Sequence, residues 1–360
     1  MNQVIRQYHH HIRKRLLFLA LIFLATLLVA VYAMSSGAAG LSWRDVILAV
    51  TGRGDTVTEQ IVIHIRLPRV LAALLGGLAL SVSGAVMQSL LRNPLASPYT
   101  LGISGAAAFG AAFGIVFLGS GHIAGGDGEA AIRLFSVFQD RYAVMGSAFI
   151  WSLAGTGLIL AIARFRGITP EILILAGIAI GSLFSAGLSA LQYIATDIEL
   201  AAIVFWMFGD LGRAGWTDIG MLALILTPIM VFFMFMTWNY KALQSGDEYA
   251  RSVGVNPDRI RLSGMLAASL ATAVVVSYYG IIAFVGLVVP HIVRRIIGGD
   301  ESFLIPATAV FGGMFLLLSD TVARTLFSPV ILPVGILTSF IGAPLFLFLL
   351  IRGVGRGYWT

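Results

Sequence analysis

Few side chains in this 360-residue sequence could do chemistry, and their types and spacing narrow what that chemistry is. Asp320 and Arg324 stand four residues apart, one helical turn, where a carboxylate and a guanidinium can pair. His291 follows Pro290 inside an apolar run. A lone histidine there reads as a structural residue rather than a proton relay, which needs further ionisable groups along the same path. Only two lysines occur, Lys14 and Lys241, and neither closes the Gly-x-x-x-x-Gly-Lys loop that cradles nucleotide phosphates. Cysteine is absent, which excludes disulfides and thiolate metal centres. The run His9-His-His11 lies in a basic tail and reads as a solvated segment rather than a metal site. The sequence therefore offers no catalytic constellation, no metal site and no cofactor site. Any ATP-driven work must come from another subunit.

The elements that position these residues belong to a membrane. The chain is 58% hydrophobic and 11% charged, against about 25% charged residues in an average soluble domain. Its mean hydropathy is +0.94. Apolar runs fall near 16–35, 70–91, 99–119, 142–163, 171–193, 217–238, 260–279, 281–297, 303–323 and 333–351. At roughly 20 apolar residues per crossing, these runs use up the length of the chain. The run 16–35 follows Arg13-Lys-Arg15, exceeds the usual core of a secretory signal and lacks a strong cleavage site, so it reads as a retained first span. The expected fold is an all-α integral membrane protein, a bundle of about ten transmembrane helices. It comprises a tail at 1–15, one membrane domain at 16–352 and a tail at 353–360.

An even number of spans puts both termini on one side. That side receives fifteen of the 23 basic residues and six of the 17 acidic ones, a balance of +9 against −3 on the other. The positive-inside rule then makes both termini cytoplasmic, in a multi-pass protein of the inner (plasma) membrane. The basic balance reflects topology and gives no reason to expect nucleic acid. Small residues such as Gly76, Gly77, Ser81, Ser83 and Gly84 crowd the spans. They serve either close helix packing in lipid or an unobstructed path.

Two polar segments interrupt the apolar runs on the cytoplasmic side. The first, 92–106, is a proline-broken turn, and irregular backbone at that depth must be buried by protein or reached by water. The second, 239–261, is the longest inner loop. Within it, Ser245 and Glu248 have the spacing of a capping box, Gly254 suits a helix end, and Asn256-Pro257 breaks the chain. It reads either as a short surface helix on which a partner could press or as a solvated connection.

Taken in order, the motifs resemble the permease subunit of type II ATP-binding-cassette importers, the family that carries iron–siderophore complexes, haem and cobalamin. They are Arg66-Leu-Pro-Arg69, Ser83-Gly-Ala-Val-Met-Gln88, Arg92-Asn-Pro-Leu-Ala96, Leu101-Gly-Ile-Ser104 and Phe205-Trp-Met-Phe-Gly-Asp210. Gly246-Asp-Glu-Tyr-Ala-Arg-Ser-Val-Gly254, Phe284-Val-Gly-Leu-Val-Val-Pro-His-Ile-Val-Arg294, Ser319-Asp-Thr-Val-Ala-Arg324 and Pro333-Val-Gly-Ile-Leu-Thr-Ser-Phe-Ile-Gly-Ala-Pro344 continue the series.

The resemblance implies a second permease copy, as a homodimer in lipid, and two cytoplasmic ATPases that hold ATP and Mg. It also implies an extracytoplasmic binding protein that delivers substrate. It assigns ATPase coupling to Gly246, Asp247, Glu248, Ala250, Arg251 and Gly254. The cytoplasmic gate falls to Asn93, Leu95, Thr169, Pro170 and Glu171. Arg66, Arg69 and Arg324 match binding-protein docking positions, although Arg66 and Arg69 also suit a helix start around Pro68. Residues 179–208 should line the passage. Ile331 departs from the family, which often has an acidic residue there, and the polar outer loop 121–141 reads as variable.

The implied activity is ATP-driven import of a metal chelate, foremost a ferric siderophore, with haem, cobalamin or molybdate as other cargoes. The competing classes are an ion-coupled secondary transporter, which calls for a mid-membrane carboxylate or histidine, and a scaffold without transport.

Overall fold

A computed structural model describes residues 2–37, 40–118 and 141–353. Of the polar outer loop 121–141 only Arg141 is among them, and the last seven positions of the C-terminal tail also lie outside the described residues.

Every described element is helical. In chain order they are α1 (Asn2–Ser35), α2 (Trp43–Val50), α3 (Thr56–Glu59), α4 (Leu67–Leu90), α5 (Ile103–Phe113), α6 (Arg141–Arg166), α7 (Pro170–Ile194) and α8 (Asp197–Met207). Then come α9 (Trp216–Phe235), α10 (Thr237–Gln244), α11 (Asp247–Ser252), α12 (Pro257–Tyr279), α13 (Val285–Ile297), α14 (Glu301–Thr325) and α15 (Val334–Gly353). A wide turn, Gln60–Arg66, joins α3 to α4 without a break. Among the described residues each of the ten apolar runs is mostly helical. Seven described helices are long and apolar enough to cross a membrane, and two shorter apolar ones, Ile103–Leu118 and Val334–Phe348, accompany them.

The run 281–297 differs from a simple span. Its helix begins only at Val285 and has 13 residues, a rise of about 20 Å, short of the roughly 30 Å of hydrocarbon. The backbone ahead of it is extended, with Gly280 and Phe284 both left-handed (φ 78° and 67°). Ile282 and Ala283 are buried there, as irregular backbone at membrane depth must be.

Two helices mark the extremes of burial. In α1, Leu17, Leu21 and Leu28 are exposed apolar side chains that would lie in lipid. By contrast α4 is buried along nearly its whole length. Its principal partner is α14, which runs antiparallel to it. Arg69 meets Asp320, Gly77 meets Gly312, the Ser81 hydroxyl donates to the Thr308 carbonyl at 2.9 Å, and the Ser89 hydroxyl donates to Glu301 at 2.6 Å. Each advance of one or two turns along α4 is matched by a nearly equal step back along α14. Small residues make this possible: a Cβ on Gly77 would lie 2.2 Å from the Gly312 carbonyl oxygen. In lipid, where apolar surface alone gives helices little reason to associate, such close backbone contact supplies the attraction.

The pattern recurs where α4 crosses α13. A Cβ on Gly84 would stand 1.7 Å from the Gly286 carbonyl oxygen. We expect Gly84→Ala to force these helices apart and cost at least about 1–3 kcal/mol, the usual range for overpacking. Gly220→Ala, in α9 with nothing within 4 Å, should be neutral or slightly stabilising. Thermal unfolding of both variants in detergent checks this; equal melting temperatures would refute the packing account.

Candidate functional site

The polar residues singled out in the sequence gather at the two ends of the α4–α14 pair. At the Ser89 end, α4 stops at Leu90 and the chain turns through Arg92, which is left-handed (φ 44°). A non-glycine residue adopts that conformation only where its surroundings impose it. Here Asn93 does so. Its amide donates to the Gln88 carbonyl at 3.1 Å, its carbonyl accepts from Ala96 at 3.1 Å, and its side-chain oxygen accepts from the Leu95 amide at 2.9 Å.

The inner loop 239–261 forms two short helices, α10 and α11. Helix α11 starts at Asp247 with Gly246 as its cap, and that cap makes no side-chain hydrogen bond. The expected capping box of Ser245 with Glu248 is thus not the one used, because the helix begins one residue later. Its end is as expected: Gly254 is left-handed (φ 82°) and the Val255 amide reaches back to the Ala250 carbonyl at 2.8 Å, a Schellman closure. Ala250 is fully buried beneath the helix, while Glu248, Tyr249, Arg251 and Gly254 face outward. The third component is the start of α7, where the Thr169 hydroxyl caps the Ile172 amide and Pro170 occupies the first turn.

These three components meet in one open cleft of about 560 Å³, lined by Arg92, Thr169, Pro170, Glu171, Ser245, Gly246, Asp247, Glu248 and Tyr249. The structure therefore unites Gly246, Asp247 and Glu248, to which the resemblance assigns coupling, with Thr169, Pro170 and Glu171, to which it assigns the gate. Asn93 and Leu95 stand beside the cleft without lining it; Arg92 is what reaches in from their turn.

Arg261 holds this assembly together. It is 1% exposed, and its guanidinium donates to the Leu90 carbonyl (3.2 Å), to the Ile168 carbonyl (3.2 Å) and, through two nitrogens, to the Asp247 carboxylate (2.7 and 2.6 Å). One side chain thus joins the end of α4, the turn before α7 and the first residue of α11. Its hydrogen bonds hold the Asp247 carboxyl below the ordinary carboxylate range, against the opposing effect of partial burial.

A buried carboxylate faces the same two segments from another helix. Glu301 is 0% exposed and accepts from the Ser89 hydroxyl and from Gln244 Nε2, with Arg294 at 3.6 Å. Its neighbour Asp300 meets Arg15 of α1 at 3.0 Å and Lys241 of α10 at 3.6 Å. Sequence reasoning did not single out Arg261, Glu301, Ser89 or Gln244 as site residues. The available signal was that a charge placed just inside an apolar span needs a buried partner.

At the opposite end lie Arg66, Arg69 and Arg324, all under 10% exposed. Arg69 grips the Asp320 carboxylate through two nitrogens, at 2.9 to 3.1 Å, and Arg324 adds a contact at 3.2 Å. Arg66 donates to the Met34 and Ser35 carbonyls, and Arg324 to those of Ala33 and Ser36. The last carbonyls of a helix lack partners within it and carry partial negative charge, so two guanidiniums cap α1. Ile331 is exposed beyond this cluster.

Comparison with known proteins places nearly the whole chain in one family. The family model described as the FecCD transport family matches residues 23–352. The hemin transport system permease protein HmuU of Yersinia pestis is 37% identical over 338 residues, 93% of this chain and 96% of that protein. The vitamin B12 import system permease protein BtuC of Vibrio vulnificus is 34% identical over 344 residues, 95% and 96% of the two chains. Among solved structures, an inward-facing metal-chelate type ABC transporter superposes with a TM-score of 0.79 at 31% identity, covering 93% of this chain and 98% of that one.

Two outcomes follow from the geometry. Asp247 has a depressed value when folded, so its contribution to stability is complete above the ordinary value of 3.8 and is lost only as pH falls through the lower folded value. Amide protection across 245–255, corrected for intrinsic exchange, should therefore hold from neutrality to below pH 4; loss already at pH 5 to 6 would contradict the pairing. Arg69→Ala leaves Asp320 buried with one partner fewer and should cost about 3–5 kcal/mol. Unfolding in detergent reports it, and an unchanged midpoint would show that Arg324 suffices.

Proposed function

The chain belongs to the FecCD transport family, and on that premise we propose that it is the transmembrane subunit of an ATP-driven importer. It acts as a homodimer and passes a metal chelate delivered by an extracytoplasmic binding protein. Members of the family are transport components, and this chain is a multi-pass inner-membrane protein of that kind. The observation that carries the proposal is the shared cleft: the segment suited to receive a partner's push and the turns suited to close the passage are built into one another. The chain has no phosphate loop, so the push comes from a pair of cytoplasmic ATPases that hold ATP and its magnesium.

In this reading ten spans cross the membrane, both termini and the cleft are cytoplasmic, and the Arg69 end is outward. Arg66, Arg69 and Arg324 then contribute to docking by building the outer surface, since their guanidiniums are engaged with Asp320 and the end of α1. Residues 179–208, in α7 and α8, line the passage between the two copies. Leu183 and Phe205 on that stretch are exposed in the single chain, which suits a surface completed by a second copy. The cargo is foremost a ferric siderophore, with haem, cobalamin or molybdate as other chelates or anions of the class. An ion-driven mechanism has less support. Among the described residues the buried charges Arg66, Arg69, Asp218, Arg261, Glu301, Asp320 and Arg324 stand at helix ends, none midway.

Reconstitution in liposomes tests the proposal. Uptake of an iron-loaded siderophore should require ATPase, ATP and binding protein together, and the purified chain alone should hydrolyse nothing. Uptake driven by a proton or sodium gradient without the ATPase would overturn it.

A further inference from the structure

Glu301 presents a problem that the fold alone does not solve. A carboxylate buried in an apolar bundle is expensive to desolvate, and well-packed apolar residues often replace such groups without loss of stability. This one is also incompletely satisfied. Its Oε1 takes Ser89, Gln244 and the approach of Arg294, while its buried Oε2 has no hydrogen-bond partner among the described residues. The neighbouring Tyr240 hydroxyl, buried too, likewise has none.

What Glu301 touches is informative. Ser89 is next to last in α4, and its carbonyl accepts from the Arg92 amide that opens the gate turn (3.4 Å). Gln244 is last in α10, three residues before the coupling helix α11, and its amide also reaches the Ser89 hydroxyl at 3.4 Å. Arg261 binds Leu90, next to Ser89, and Asp247, three residues after Gln244. One buried acid and one buried base, from α14 and α12, therefore tie the same two segments together at two points. A single tie would leave a free pivot; two ties leave only rotation about the line that joins them.

We propose that Glu301 is the positioning residue that makes the coupling helix and the gate turn move as one body, with Arg261 as the other half of the clamp. This rests on the importer reading for its purpose, not for its geometry. A displacement of α11 by the ATPase then reaches Arg92, Asn93 and Leu95 undiminished. Without the Glu301 tie, α11 still engages the ATPase but rotates about the Arg261 contact.

The test uses Glu301→Gln, Gln244→Ala and the swapped pair Glu301→Gln with Gln244→Glu. Gln244→Ala removes one tie at a partly exposed residue and so guards against a Glu301 variant that fails to fold. In the purified permease, amide exchange of 91–96 and 245–255 should show a common opening free energy in the wild type. It should separate into two faster, independent openings in Glu301→Gln and Gln244→Ala. In the full complex, ATP hydrolysis should stay within about twofold while chelate uptake per ATP falls about tenfold, the scale of losing one charge-assisted hydrogen bond. The swapped pair restores donor to acceptor and should recover most of both readouts, which a merely structural loss would not. Unchanged exchange in both single variants, or parallel losses of hydrolysis and uptake with no rescue, would overturn the clamp. If the wild-type complex takes up no chelate, the importer reading fails instead, and the exchange measurement still decides the clamp.

Discussion

The close antiparallel approach of α4 and α14 is the constraint from which the rest follows. Gly77 and Gly312 let the two backbones touch, and Ser81 bonds across to the Thr308 carbonyl. Once that contact is made, helix geometry leaves no freedom at the ends. Two turns outward from Gly77, Arg69 must meet Asp320; two turns inward from Ser81, Ser89 must meet Glu301. A slip by one residue would rotate each polar group about 100° away from its partner and leave buried charges unmatched. The charged ends therefore define the register, and the small residues at the centre supply the attraction.

Burial of charge in this chain is confined to places where it joins several elements. Arg261 unites α4, α11, α12 and the turn before α7. Asp320 unites α4 and α14, while Arg66 and Arg324 attach α1 to that pair through its free carbonyls. A guanidinium suits this work because its five donors form a planar fork that stays charged when desolvated. In lipid such groups cannot be left with water as the alternative partner, so each joint is made or the helices separate.

How much of this was legible in the sequence varies with the physics behind each feature. Helices cover most of each of the ten apolar runs among the described residues, because span length and hydropathy are local properties. The helix end at Gly254 was likewise local. The start of α11 was placed one residue early, because Ser245 and Gly246 are both acceptable caps and only the packing of Ala250 decides between them. The pairing of Asp320 with Arg324 was read from its four-residue spacing, but the stronger partner is Arg69, 251 positions away. Glu301 and Arg261 were overlooked for the same reason. Each stands at a span boundary, where a charge ordinarily reaches water, and only tertiary contact turns it inward.

This distribution bears on how the chain can work. Ion-coupled carriers place titratable groups where cargo and ion pass, because the coupling is a change of protonation or coordination at mid-membrane. Here the middle of the central helix pair is glycine and serine, with buried charge at its two ends. Such a structure has little to titrate along its length but transmits displacement well, since close-packed helices tend to shift as rigid bodies rather than deform. Arg261 and Glu301 connect α11 and the end of α10 to the last turn of α4, where the turn at Arg92 begins. The same helix carries Arg69 and the Asp320 joint at its far end, so one closely packed helix connects the cleft with the Arg69 cluster.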